Sequence, residues 1–247
     1  MGVFDVPAPL FAWTDQLMSQ FAPPTLRVAL WGIIGAAISM GLYWLVSPQA
    51  KIKHNQAKTL EARRALDAYE GDFAGAWPQM RSMLGLALKQ VGIVVIPAVL
   101  ASLPVLCMLV WMSTAYGYEY PPTGTEPTIR THPQQVQARW VEAQAGAGRP
   151  RSQTPRIELI GERERVTRVI PLPKPVPTIH KRQWWNALFG NPAGYLPDDA
   201  AIDRVEIDLP SQELLGFGPS LIRGWEFLFL MVLLISSIVI KLVFKIK

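Results

Sequence analysis

Three long apolar runs alternate with polar stretches along the chain. The first, LRVALWGIIGAAISMGLYWLV, covers residues 26–46; the second, VGIVVIPAVLASLPVLCMLVWM, covers 91–112; the third extends over 221–244 around WEFLFLMVLLISSIVI. At about 1.5 Å rise per residue, a helix of roughly 20 residues crosses a hydrocarbon core of about 30 Å. The pattern predicts an α-helical integral membrane protein with three transmembrane helices. Three such runs leave too little amphipathic helix to cover them in a soluble core.

The polar stretch after the first run, SPQAKIKHNQAKTLEARRALDAYEGDF, has good helix formers and neither Gly nor Pro from Gln49 to about Tyr69. Ile52, Leu60, Leu66 and Tyr69 form a sparse apolar side opposite Lys53, Lys58, Glu61 and Arg64. Gly71 reads as the stop, and Trp77-Pro78 as the start of a second helix, PQMRSMLGLALKQ, that continues into the second run. A short helical hairpin follows from this. Its returning arm carries Met80 and Met83, whose adaptable side chains suit a surface that meets unlike apolar sequences, although Met is also common filler.

Ahead of the first run, FAWTDQLMSQFAPP reads as an interfacial helix closed by Pro23 and Pro24, with Phe11, Trp13, Leu17, Met18 and Phe21 for the headgroup boundary, or else as a frayed tail. Residues 1–23 hold no Lys or Arg, so a cleavable signal peptide is not expected. After the second run and a Tyr/Pro collar, YGYEYPPTGTEP, come the alternating or β-branched runs VQARWVEA, RIELIGE, RVTRVIPL and DRVEIDL, separated by Pro- and Gly-rich linkers. They predict a small β-rich insertion of three to five strands. Within it, KRQWWNALFGNPAGYLP places Trp184, Trp185, Leu188 and Phe189 either on the bilayer surface, on a partner subunit, or in the insertion's own core.

Charge adds orientation. Seven basic residues (Lys51, Lys53, Lys58, Arg63, Arg64, Arg81 and Lys89) lie between the first two runs, and Lys241, Lys245 and Lys247 end the chain. The positive-inside rule makes both regions cytoplasmic and the N-terminus external; the long third loop escapes that rule. The expected order is an extracytoplasmic interfacial segment (1–25), transmembrane helix 1 (26–47), cytoplasmic hairpin (48–90), transmembrane helix 2 (91–112), extracytoplasmic β-rich domain (113–220), then transmembrane helix 3 with a basic tail (221–247). A bacterial inner membrane is the expected location.

Enzyme chemistry finds no footing in the pattern. His54, His132 and His180 are scattered, Cys107 is the single cysteine, and no HExxH, GxSxG or phosphate-binding glycine loop occurs. No catalytic residue, cofactor or metal is expected. The pI near 9.4 comes from basic residues divided between the two membrane faces, which argues against a nucleic-acid surface. Small-residue ladders, Gly32/Ala36 and Gly35/Ser39, allow close helix contact in the first span.

SPxxxK at the exit of the first run (Ser47, Pro48, Lys51), the charged segment, the MRSMLGLALKQ arm, a proline-bearing second run and a last run ending in Lys together resemble the YidC/Oxa superfamily of membrane insertases. The nearest branch is the three-span one that contains the third subunit of the endoplasmic reticulum membrane complex and its archaeal relatives. The resemblance covers about residues 26–112 and 214–247. It implies a groove, open to cytoplasm and lipid, that shelters a polar client segment in a thinned bilayer. The chain departs from that pattern in three ways. Arg27 stands at the outer end of its span, as an interfacial anchor, rather than within the groove; the insertion before the last span is large; the hairpin is brief. Implied partners are the lipid bilayer and nascent membrane proteins, met by Leu60, Leu66, Met80 and Met83. The alternative is a non-catalytic accessory subunit that clamps a larger membrane complex through the outer domain and Trp184 and Trp185.

Overall fold

Residues 2–134, 136–142, 154–160 and 166–245 are described by the computed structural model. The apolar runs become helices α2 (Pro24–Val46), α4 (Phe73–Ala115) and α6 (Trp225–Val243), preceded or joined by α1 (Ala8–Met18), α3 (Gln49–Asp67) and a one-turn α5 (Ser220–Arg223). Three of the helices are long and apolar enough to cross a membrane. The chain divides into two compact units, residues 1–27 with 107–228, and residues 28–106 with 229–247.

Two boundaries differ from the sequence expectation, each for a local reason. Helix α4 starts at Phe73, four residues before Trp77, and carries Pro78 inside it. Asp72 accounts for this: its Oδ1 accepts the Gly75 N–H at 3.1 Å and its carbonyl accepts that of Ala76. That cap satisfies first-turn donors and outweighs the single bond that Pro78 cannot make. The third apolar run is interrupted at Gly224, whose backbone is extended (φ −71°, ψ 168°). Arg223 holds the break, since its carbonyl accepts the Leu214 N–H at 2.8 Å and its Nε donates to Gly218 O at 2.7 Å.

In the second unit, α2 lies against α6 at its small residues. A Cβ placed on Gly32 would sit 3.0 Å from Val232 Cβ and 3.1 Å from Phe229 O, and Phe229, Val28 and Ala36 are fully buried there. Lipid tails are as apolar as these side chains, so close packing rather than hydrophobicity holds the pair.

Among its described residues the first unit contains two three-stranded antiparallel sheets, of order β1-β6-β5 and β2-β3-β4. The strands are β1 (Ile129–His132), β2 (Gln137–Val141), β3 (Arg156–Ile160), β4 (Val166–Pro171), β5 (Thr178–His180) and β6 (Arg204–Ile207). Alternation decides which side chains enter the core: Ile157 and Leu159 of β3 and Val205 and Ile207 of β6 are buried, with Trp140, Leu172 and Leu196 beside them. Among the described residues six strands form, where three to five were expected in the insertion; the additional ones, β1 and β5, flank β6. Trp184 is 83% exposed and stands outside that core, so the core reading of the Trp-Trp pair does not hold for it.

The N-terminal segment packs onto the ends of the long helices in the same unit. Phe11 meets Trp111 with ring centroids 5.7 Å apart. Arg27 is turned inward rather than outward: its guanidinium pairs with Asp15 at 2.5 Å, with side chains only 16% and 14% exposed, and lies over the Tyr116 ring. The Tyr116 hydroxyl donates to the other oxygen of Asp15. Burial first, then that carboxylate, pushes the Tyr116 phenol well above the ordinary tyrosine range, so it stays protonated and remains the donor.

Candidate functional site

Helix α3 follows α2 after the two-residue link Ser47-Pro48 and docks by its first turns. Ile52 is 1% and Asn55 3% exposed. The Asn55 amide donates to Leu86 O at 3.0 Å and to Gln90 Oε1 at 2.9 Å, both on α4. A buried amide that satisfies two acceptors fixes both position and rotation of the helix it sits on. Beyond Thr59 the inner side continues as half-buried Ala62, Leu66 and Tyr69, and a Cβ on Gly75 of α4 would lie 1.8 Å from the Tyr69 hydroxyl. Leu60 is exposed and Leu66 half-buried, and the distal turns carry Arg63 and Asp67, a pair 4.0 Å apart in solvent that contributes little. Lys51, Lys53, Lys58 and Arg64 are exposed along the same helix.

Asn55→Ala is expected to loosen α3 by about 1–2 kcal/mol, since two hydrogen bonds to half-buried acceptors are lost. Hydrogen–deuterium exchange over residues 49–67 should accelerate, while Lys58→Ala, on the exposed side, leaves it unchanged. Equal exchange in both variants would show that Asn55 does not hold the helix.

Helix α4 has two distinct faces at this end. Gln79, Met83, Leu86 and Gln90 recur at helical spacing on the side that Asn55 contacts, and all four are half-buried. A second face exposes Phe73, Trp77, Met80, Leu84, Leu88, Val91, Val95 and Val99, each between 39% and 70%. The spacing of these eight is 4-3-4, 4-3-4 again and then 4, so they form one stripe from the capped start of the helix into the membrane-length apolar run. Between Phe73 and Leu88 the same helix carries Gln79 and Arg81, and Lys89 follows, so this portion is more polar than the run after Val91.

The structure thus separates the two methionines. Met80 belongs to the open stripe and Met83 to the face turned to α3. Leu60 and Leu66 lie on α3 itself, while Trp184 and Trp185 belong to the other unit, in a single 3-10 turn, Trp184–Ala187. The stripe residues Phe73, Trp77, Leu84 and Leu88 carry more exposed apolar surface than the methionines, and their spacing is the signal that marks them.

Beyond Gly32, α2 and α6 part. A Cβ on Gly41 would meet nothing within 4 Å, and a cleft of about 370 Å³ opens there between Ala37, Gly41 and Trp44 of α2 and Ile240 and Phe244 at the end of α6. Its lining carries no charged side chain. Ser102, within the α4 span, donates to Val99 O in its own helix. Of the histidines, His54 is exposed on α3, His132 lies 3.6 Å from Glu206, and His180 packs against Trp185 and Tyr195. In comparisons with known proteins, no family model, no curated protein and no solved structure matches the chain.

Proposed function

We propose that the chain is an Oxa-type membrane insertase or membrane chaperone of a bacterial inner membrane, with its N-terminus and two-sheet domain outside and α3 and the start of α4 in the cytoplasm. The carrying observation is the stripe: apolar positions exposed at Trp77, Leu84 and Leu88, on the more polar, Arg81-bearing part of α4, continue into Val91, Val95 and Val99. An apolar client segment that lands on the cytoplasmic part keeps apolar contact as it moves to membrane depth. It therefore never exposes its full surface to water, which would cost about 25 cal/mol per Å². The cleft at Gly41 and Trp44 is the second element, a place where helix contact is already open and a polar client turn need not part packed helices. Sheltering such a turn matters because an unsatisfied polar group in hydrocarbon costs several kcal/mol. The lysines of α3 would lie near the anionic inner leaflet, at about 1 kcal/mol of attraction each. No bond is made or broken in this scheme, and no cofactor is needed.

A second reading, a fixed accessory subunit of a larger membrane complex, draws on the same stripe, since a permanent partner helix could cover it. Photocrosslinkers at Trp77 and Leu84, and at Leu60, Leu66 and Met83, separate the two. The insertase reading expects adducts with hydrophobic segments of several unrelated nascent membrane proteins, strongest at positions 77 and 84 and lost when translation is stopped. Adducts with one or two partners at constant yield, with translation on or off, would sink it in favour of the accessory reading.

A further inference from the structure

The first unit carries a second large apolar surface, distinct from the stripe. Along the N-terminal segment, Val3, Val6, Leu10, Trp13, Leu17 and Phe21 are each at least 42% exposed. Their spacing of 3-4-3-4-4 puts them on one side of α1 and its flanking turns. This segment is tied to the loop that holds the Trp-Trp pair. The Asp5 carboxylate accepts the N–H groups of Gly2 and Gly190, both at 2.7 Å. Phe4 N–H donates to Leu188 O at 3.1 Å, and the Phe4 ring stacks on Phe189 at 5.2 Å. Gly2 is pressed so closely on Leu188 that a Cβ there would lie 2.3 Å from its carbonyl oxygen. Trp184, the most exposed tryptophan in the loop, stands four residues before Leu188, in the same loop that these contacts bolt to the N-terminal segment.

We propose that this assembly is a platform that inserts into the acyl–headgroup boundary of the bilayer, on the face where α2 begins. Two observations identify lipid as the occupant. Only five residues separate α1 from Pro24, the first residue of a membrane-length helix, and the inner side of α1 places Phe11 on Trp111, one turn before α4 ends at Ala115. The platform is therefore level with the ends of two spans, at the depth where Trp side chains partition between hydrocarbon and water. Charge agrees with this. Residues 1–26 hold no Lys or Arg, and their two acids are internally engaged, Asp5 by Gly2 and Gly190 and Asp15 by Arg27 and Tyr116. The Trp184 loop adds Lys181, paired with Asp203 at 2.8 Å, and exposed Arg182, so along the N-terminal segment the surface binds by buried apolar area, with Arg182 as the one exposed cation beside it among these residues. The proposal does not depend on the client reading of the stripe.

The test uses the full chain with Cys107→Ala and one new cysteine at a time, Trp13→Cys, Trp184→Cys or Asp199→Cys, each carrying a nitroxide label. All three sites are exposed; Asp199 is the aqueous reference, its side chain 78% exposed, and Asp199→Cys gives up a solvent-exposed pair with Arg168 at 3.7 Å that contributes little. The variants are placed in nanodiscs of phosphatidylcholine alone, or with phosphatidylglycerol, with no other protein present. Collisions with a water-soluble nickel chelate should be severalfold fewer at positions 13 and 184 than at 199, collisions with oxygen more frequent, and both results the same in the two lipids. Nickel access at 13 or 184 equal to that at 199 would overturn the proposal and leave the patch for a protein partner. Protection seen only with phosphatidylglycerol would also overturn it, because charge would then be the anchor.

Discussion

Gly32→Leu is expected to separate α2 from α6 and to lower the thermal midpoint of the purified protein by several degrees. The new side chain would meet Val232 Cβ and Cγ1 at 3.0 Å and the Phe229 carbonyl at 3.1 Å. A backbone carbonyl cannot step aside, and a valine in a helix has essentially one χ1 rotamer to offer. The helices must therefore move apart, at the roughly 1–3 kcal/mol or more of an overpacked site, and contacts around Phe229, Val28 and Ala36 are lost with them. Lipid would cover the exposed surface without restoring that packing. Gly41→Ala is the control: with nothing within 4 Å of its Cβ, it should leave the midpoint nearly unchanged. If Gly32→Leu melts like the unaltered chain, the close approach is not made in the membrane.

The second large effect is expected at the clasp of Arg27, Asp15 and Tyr116. Arg27→Met removes the cation and leaves a carboxylate with a 14% exposed side chain beside a phenol that can donate only one hydrogen bond. Breaking such a buried pair costs about 3–5 kcal/mol, and the residual exposure places this case near the lower figure. The double variant Arg27→Met, Asp15→Leu removes both charges and should recover part of the loss, because much of the penalty comes from burying the carboxylate without its cation, while the Tyr116 hydroxyl then loses its acceptor. Thermal midpoints of the two variants, together with protease access to residues 19–23, measure this. A double variant no better than the single one would refute the assignment of the cost to an orphaned charge.

The three spans are legible in the sequence because hydrocarbon sets one length and excludes charge, so a run of about 20 apolar residues has few other readings. Four strands are legible for a similar reason: Ile157 and Leu159, or Val205 and Ile207, alternate with polar neighbours. IRTH and TIH are too short to show a period of two, and become strands because β6 offers them a ladder on either side. The start of α4 is hidden by Pro78, which imitates a first-turn proline while Asp72 holds the cap. No local pattern announces the clasp, since Asp15 and Tyr116 are 101 residues apart. The stripe is legible as a spacing from Phe73 to Leu88 but fades beyond Val91, where nearly every position is apolar and no face stands out.

The stripe has a handedness. Its 4-3-4 groups recur every 11 residues, from Phe73 to Leu84 to Val95, or about 3.67 residues per turn, slightly more than the 3.6 of the helix beneath it. It winds slowly to the right around α4. The heptad seam of an ordinary coiled coil, at about 3.5 per turn, winds to the left, so a leucine-zipper-like helix laid on Phe73 drifts off the apolar line within two or three turns. Any helix that follows the whole length must repeat on the same longer period. A helix built on heptads therefore matches the apolar line over only part of its length.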